Sequence, residues 1–176
     1  MGQQIRMVRA DRNTLEEFFQ SIELDASFLP FYQHVCRYAA VAIVSDGLDY
    51  PIQVATHAAG LPNIPVFANR LHFVANGIDI SFPHLDPHCA AGNGVCKCAV
   101  ARDLAQPLGG LMVLIGDGKS DICLARRADV VFAKNSLLDY CVANNIAHIP
   151  FDNFGDVLAV VRKWDAHPPM NLSLVA

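Results

Sequence analysis

Apolar positions along this chain follow two spacings, one near the helical period and one near the alternation of a strand, and the switches between them mark out the elements. Residues 13 to 16, Asn-Thr-Leu-Glu, have the form of a capping box with Asn13 as N-cap and Glu16 reaching back, ahead of an apolar stripe at Leu15, Phe18, Phe19 and Ile22. A helix is predicted there. Asp25 predicts the cap of a second helix over "SFLPFYQHVCRYA", with Pro30 near its first turn and Phe28, Phe31, Val35 and Tyr38 on one face. "VAIVS", 41 to 45, is apolar at successive positions, as a strand covered on both faces is, and ends in a turn at Gly47 before a helix through Ile52, Ala55 and Ala59. "IPVFAN" reads as a short strand, and "RLHFVANGIDISFP" alternates about Asn76-Gly77, a hairpin signal. After a loop rich in Cys and His, "KCAVARDLA", "KSDICLARRA" and "SLLDYCVANN" read as helices, interleaved with the apolar runs "GLMVLIG", "DVVFAK" and "IAHIPF".

Strict alternation of strands and helices with short connections predicts a parallel sheet covered on both faces, a three-layer α/β fold of Rossmann type. One domain is expected over residues 1 to 166, with a β-hairpin insertion at 70 to 83. The end of the chain, 167 to 176, contains two adjacent prolines and is expected to be loosely held. Ligands of such sheets bind at the carboxyl ends of the strands, where Ser45 and Asp117 both fall.

Composition narrows the function classes. A chain of 176 residues that is 53% apolar buries a proper core as one domain. Its 13 basic and 17 acidic residues give a net charge of −4, and no stretch gathers enough lysine or arginine to track a nucleic-acid backbone. The longest apolar runs are seven residues, against the roughly 20 that span a bilayer. The first ten residues lack a signal-type apolar core, and Arg6 stands where a myristoylation motif has Ser or Thr. A cytoplasmic protein with six reduced thiols is expected.

The candidate chemistry starts from "VLIGDGKSDIC", residues 113 to 123, where an apolar run ends on Asp117 and Asp121, four apart. A strand tip followed by one helical turn lets both carboxylates face one spot. Oxygen donors so placed suit Mg²⁺, which takes one or two carboxylates, waters and a substrate phosphate; turn formation and helix capping account for either aspartate taken alone. "VSDG" sets the Ser45 hydroxyl and the N–H groups of Asp46 and Gly47 at another strand end that opens a helix, a seat for an anion. Lys97 begins a helix after a glycine-containing loop, where an ammonium neutralises phosphate charge, although a single lysine is usually a solvated charge. "PHLDPHCAAGNGVCKC" holds His84, His88, Cys89, Cys96 and Cys98, which read either as a zinc site or as a packed loop near the substrate. Cys96-x-Cys98 is tighter than the usual spacing of structural zinc ligands.

Ser45 with Asp46 and Gly47, then Lys97, then "GDGKSD" with Asp117 twenty residues beyond Lys97, resembles the second, third and fourth motifs of the haloacid dehalogenase-like (HAD) phosphatases, over about residues 13 to 164. "CKC" around Lys97, the hairpin and the block "GDGKSDICLARRADVVFAKNSLLDYC" look most like the phosphoserine-phosphatase branch. Within that branch they look closest to the methionine-salvage phosphatases of 2-hydroxy-3-keto-5-methylthiopentenyl 1-phosphate. The resemblance implies a Mg²⁺-dependent phosphomonoesterase that acts on a small phosphorylated metabolite through an aspartyl-phosphate, with a homodimer compatible. By carry-over, Ser45, Lys97 and Asp117 would be catalytic, Ser45, Asp46, Gly47 and Lys97 would bind the phosphate, and Asp117 and Asp121 would serve the metal. The family's first motif, Asp-x-Asp-x-Thr, is absent from these residues. The resemblance implies that its strand lies centrally, between the strands ending at Ser45 and Gly116, so two apolar strands are expected to lack a shared partner. The chain is therefore expected to be truncated at its start, the alternative being a noncatalytic relative that keeps an anion and metal pocket.

Overall fold

The structure is a computed structural model that describes residues 5, 7–8, 10–75, 77–89, 92 and 94–164, and the backbone of 172–175. Its helices are α1 (Arg12–Gln20), α2 (Phe28–Val35), α3 (Asp49–Ala58), α4 (Lys97–Ala105), α5 (Ile122–Ala125), α6 (Asn135–Ala143) and α7 (Phe154–Trp164). The strands are β1 (Val41–Leu48), β2 (Val66–Val74), β3 (Gly77–Ser81), β4 (Leu111–Gly116), β5 (Val130–Ala133), β6 (Ile149–Pro150) and β7 (Leu172–Val175). They form one sheet in the order β3-β2-β1-β7-β4-β5-β6, parallel throughout except for the β2–β3 pair. This is the three-layer α/β arrangement of Rossmann type that the alternation of elements predicts. No helix among the described residues is long and apolar enough to cross a membrane.

Strand alternation divides the core in two. Val41 of β1 and Val113 and Ile115 of β4 pack with Phe28, Phe31 and Val35 of α2 and Val157 and Val161 of α7. Val44 and Leu114, pointing the other way, pack with Cys98, Val100 and Ala101 of α4, Leu124 of α5 and Leu137 of α6. Both faces of the central strands are thus apolar because both are covered. A smaller cluster of Phe19, Leu71 and Ile78 seats α1 on the hairpin side.

Several local expectations are revised. The cap of α1 is Asp11, whose Oδ1 accepts from the Thr14 N–H at 2.8 Å. Glu16 is drawn instead to Arg12, 2.7 Å away, and to the Tyr50 hydroxyl. "IPVFAN" and the first arm of the hairpin are a single strand, β2, so the hairpin extends the sheet edge, with pairs from Arg70↔Ser81 to Val74↔Gly77. "KSDICLARRA" makes a single 3₁₀ turn over Lys119–Asp121 and then the four-residue α5, ended where the Arg127 and Ala128 N–H groups both turn back to the Leu124 carbonyl.

The centre of the sheet holds the largest departure. Residues 172–175, within the tail expected to be loose, form β7 between β1 and β4. Leu174 and Val175 pair with Val41 and Ala42 on one side, and Leu172 to Val175 pair with Leu111 to Leu114 on the other. The two apolar strands expected to lack a shared partner have one. Buried strand edges demand donors and acceptors for their N–H and C=O groups, and Leu-Ser-Leu-Val is a segment of suitable strand propensity to supply them.

Candidate active site

The register through β7 fixes the layout. Leu174 pairs with Val41 on one side and Val113 on the other. Ser45 and Asp117 each lie four residues further along, so they stand level at the same end of the sheet, two strand spacings or about 10 Å apart.

Ser45 lies in a stretch of β1 where the register against β2 shifts, between Val44 and Leu48. Its Oγ accepts from the Gly47 N–H at 3.0 Å, so that N–H is used inside the loop while the Ser45 hydroxyl keeps its proton to donate. A helix opening directly at Ser45 is not found: β1 continues to Leu48 and α3 starts at Asp49, whose Oδ1 accepts from the N–H groups of Tyr50 and Leu71 at 2.7 and 2.9 Å. Asp46 is held through its carbonyl, which accepts from Asn69 Nδ2 at 2.7 Å. Asn69 is fully buried. It was not among the residues expected from the sequence, and an amide ending an apolar strand was the only signal for it. Gly94 packs against it at φ +86°; a Cβ there would lie 2.7 Å from Asn69 Oδ1 and 2.6 Å from the Phe82 ring.

Lys97 opens α4, as its position after the glycine loop predicts. Its Nζ lies 2.7 Å from Asp121 Oδ1, and the two side chains are only 12% and 5% exposed. The other oxygen, Asp121 Oδ2, accepts from the N–H groups of Gly118 at 3.0 Å and Asp117 at 3.3 Å. Gly116 makes room for this carboxylate, since a Cβ there would sit 2.8 Å from Asp121 Cγ. Asp117 is fixed by its backbone: its carbonyl accepts from the Leu137 N–H and the Ser136 hydroxyl, each at 3.2 Å. Among the described residues nothing pairs with the Asp117 carboxylate, so its oxygens are available. The two aspartates therefore differ. Asp121 already accepts from a lysine and two amides, whereas Asp117 presents a ready carboxylate at the strand end, a donor that suits a hard cation sharing its shell with phosphate and water.

The Cys/His segment packs into the second core. Cys96 and Cys98 are buried, and the Cys96 N–H donates to the His84 carbonyl at 2.9 Å. Burial pushes the Cys96 thiol up and the Cys98 thiol to about 11, so neither is a ready thiolate. Among the described residues no group of three or more His, Cys, Asp or Glu side chains is placed to hold a metal ion. Of the two readings of this loop, the packed one describes Cys96 and Cys98.

No protein-family model matches the sequence. Individual relatives do. A 2-hydroxy-3-keto-5-methylthiopentenyl-1-phosphate phosphatase of Exiguobacterium sp. is 35% identical over 149 residues, covering 83% of this chain and 68% of the relative. The protein of the same name from Exiguobacterium sibiricum is 32% identical over 173 residues, covering 95% of this chain and 77% of the relative. One from Bacillus cereus is 29% identical over 150 residues, covering 84% and 68%. With two of these relatives above 30% identity over most of its length, the chain belongs to the family of 2-hydroxy-3-keto-5-methylthiopentenyl-1-phosphate phosphatases.

Proposed function

We propose that this chain binds the phosphoryl group of a small phosphate monoester at the carboxyl ends of β1 and β4 and serves its Mg²⁺-dependent hydrolysis. The substrate would be of the class named for the relatives, 2-hydroxy-3-keto-5-methylthiopentenyl 1-phosphate. The observation that carries this reading is the buried Lys97–Asp121 pair. One carboxylate fixes both the ammonium and the N–H groups of the loop that bears Asp117. Phosphoryl transfer asks a protein chiefly for positioning and charge neutralisation, and a pre-set cation beside a free carboxylate supplies both.

The residues then divide the work. Ser45, its oxygen already holding the Gly47 N–H, donates its proton to a phosphoryl oxygen. Lys97 balances charge on the phosphate. Asp117 would hold the metal, which when bound neutralises charge on the phosphoryl oxygens. Asp121 acts as a positioning residue, through the Lys97 ammonium and the amides of Asp117 and Gly118. Turnover through an aspartyl-phosphate also needs an attacking carboxylate, and no Asp-x-Asp occurs in the 176 residues. A second reading, a noncatalytic module that binds phosphate and metal, is favoured by one observation: the strand between β1 and β4 is β7, whose segment Leu-Ser-Leu-Val contains no acid.

Release of phosphate from p-nitrophenyl phosphate with and without Mg²⁺ separates the two. The enzyme reading expects turnover that chelator and Asp117→Asn both abolish. The module reading expects orthophosphate binding with no turnover from well-folded protein.

A further inference from the structure

We infer that an apolar cavity of about 320 Å³ beside the β1 end of the site receives the apolar tail of the substrate; this rests on the phosphate-monoester reading above. Its walls include Phe28, Ile43, Ile52, Ala55 and Phe154. Ile43 precedes Ser45 by two residues on β1, about 7 Å along the strand. Ile52 lies in the first turn of α3, and Phe154 opens α7 just beyond β6. Ile52 and Phe154 follow the carboxyl ends of β1 and β6, so the cavity lies toward the same edge of the sheet as the proposed phosphate seat.

Its polar groups are already satisfied from within. The two polar side chains in the wall are Asp25 and Thr56. Asp25 Oδ1 accepts from the Ser27 N–H at 2.8 Å and Oδ2 from the Phe154 N–H at 2.7 Å. The Thr56 hydroxyl donates to the Ile52 carbonyl at 2.8 Å. A charged or hydrogen-bonding occupant would lose its water and find no partner, whereas an apolar one gains by leaving water. The volume is at the low end for ligand pockets, which run from about 300 Å³ upward. It has room for a short unbranched alkyl or thioether chain. The wall also includes Ile22, which is 39% exposed.

Titration calorimetry of the whole chain with methyl phosphate, n-pentyl phosphate and n-pentanol, in the presence of Mg²⁺, tests this. At roughly fourfold per buried methylene, the four extra methylenes of n-pentyl phosphate are expected to make it bind up to about 250-fold tighter than methyl phosphate, and at least about tenfold with only two of them buried. Ala55→Leu, which grows a side chain into the cavity, is expected to erase that ratio. Ile22→Trp, at a position exposed enough to accept bulk, provides a second variant and is expected to lower the ratio. Equal affinities for the two phosphates would overturn the inference and leave the phosphate seat standing. A ratio that survives both substitutions would place the tail elsewhere and also overturn it. Binding of n-pentanol with neither phosphate bound would overturn the phosphate reading, and with it the assignment of this cavity to a substrate tail.

Discussion

Asp121 holds a lysine with one oxygen and two backbone amides with the other, and Gly116 gives it the space. A methyl group at residue 116 would press on Asp121 and on Leu137 Cδ2, 3.0 Å away, with Leu137 fully buried and unable to retreat. Gly116→Ala is expected to cost about 1–3 kcal/mol of stability and, by shifting Lys97 and the 117–118 loop, to weaken orthophosphate binding about tenfold. Urea denaturation and calorimetry read the two effects, and a folded variant with undiminished phosphate affinity would remove Asp121 from its positioning role. At this scale the sequence showed which residues carry charge at suggestive intervals, but not how Asp121 spends its charge. Its lysine lies 24 residues away and meets it only once α4 packs beside the end of β4. Asn69 was illegible for the same reason, since an amide in a strand acquires a task only when β2 lies beside the irregular stretch of β1.

Elements are tied to one another by caps that reach farther than local patterns reveal. Asp25 was legible as a residue at the start of α2, and its Oδ1 does hold the Ser27 N–H, but its Oδ2 reaches across 129 residues to the first amide of α7. Burial works against its charge; the N–H groups of Phe154 and Ser27 outweigh that and hold the carboxyl below its ordinary value of 3.8. A folded value below the unfolded one means the contribution is fully present above 3.8 and is lost as pH falls through the lower folded value. Asp25→Ala is accordingly expected to cost about 1–3 kcal/mol at neutral pH, with wild type and variant converging in acid. Urea midpoints taken across a pH series check this, and a gap that stays constant into acid would contradict it. Element ends were the least legible feature. The apolar run of β1 stops at Val44, yet pairing carries the strand on to Leu48, because hydrogen-bond partners and not hydropathy decide where a strand ends.

For the whole molecule, alternating periods made the α/β class legible but not the order of the strands. Four residues following two prolines give too short a signal to mark a strand, and β7 forms because β1 and β4 offer it two edges at once. Ser173→Pro deletes one ladder donor from this central strand and is expected to cost about 3 kcal/mol, which is roughly a hundredfold in local opening. Amide exchange at Val41 to Val44 and Val113 to Ile115 should accelerate accordingly. Unchanged protection there would mean that the sheet does not depend on β7.

Ser45, Lys97 and Asp117 are proposed to form one phosphate seat, and orthophosphate titration with and without Mg²⁺ is the decisive experiment. Three chains are compared: wild type, Asp117→Asn, and Lys97→Met combined with Asp121→Asn so that no buried charge is left unpaired. Wild type is expected to bind phosphate more tightly with Mg²⁺, Asp117→Asn to lose this gain, and the double variant to bind about a hundredfold more weakly. Folded wild type that ignores phosphate, or affinity indifferent to both changes, would contradict that seat.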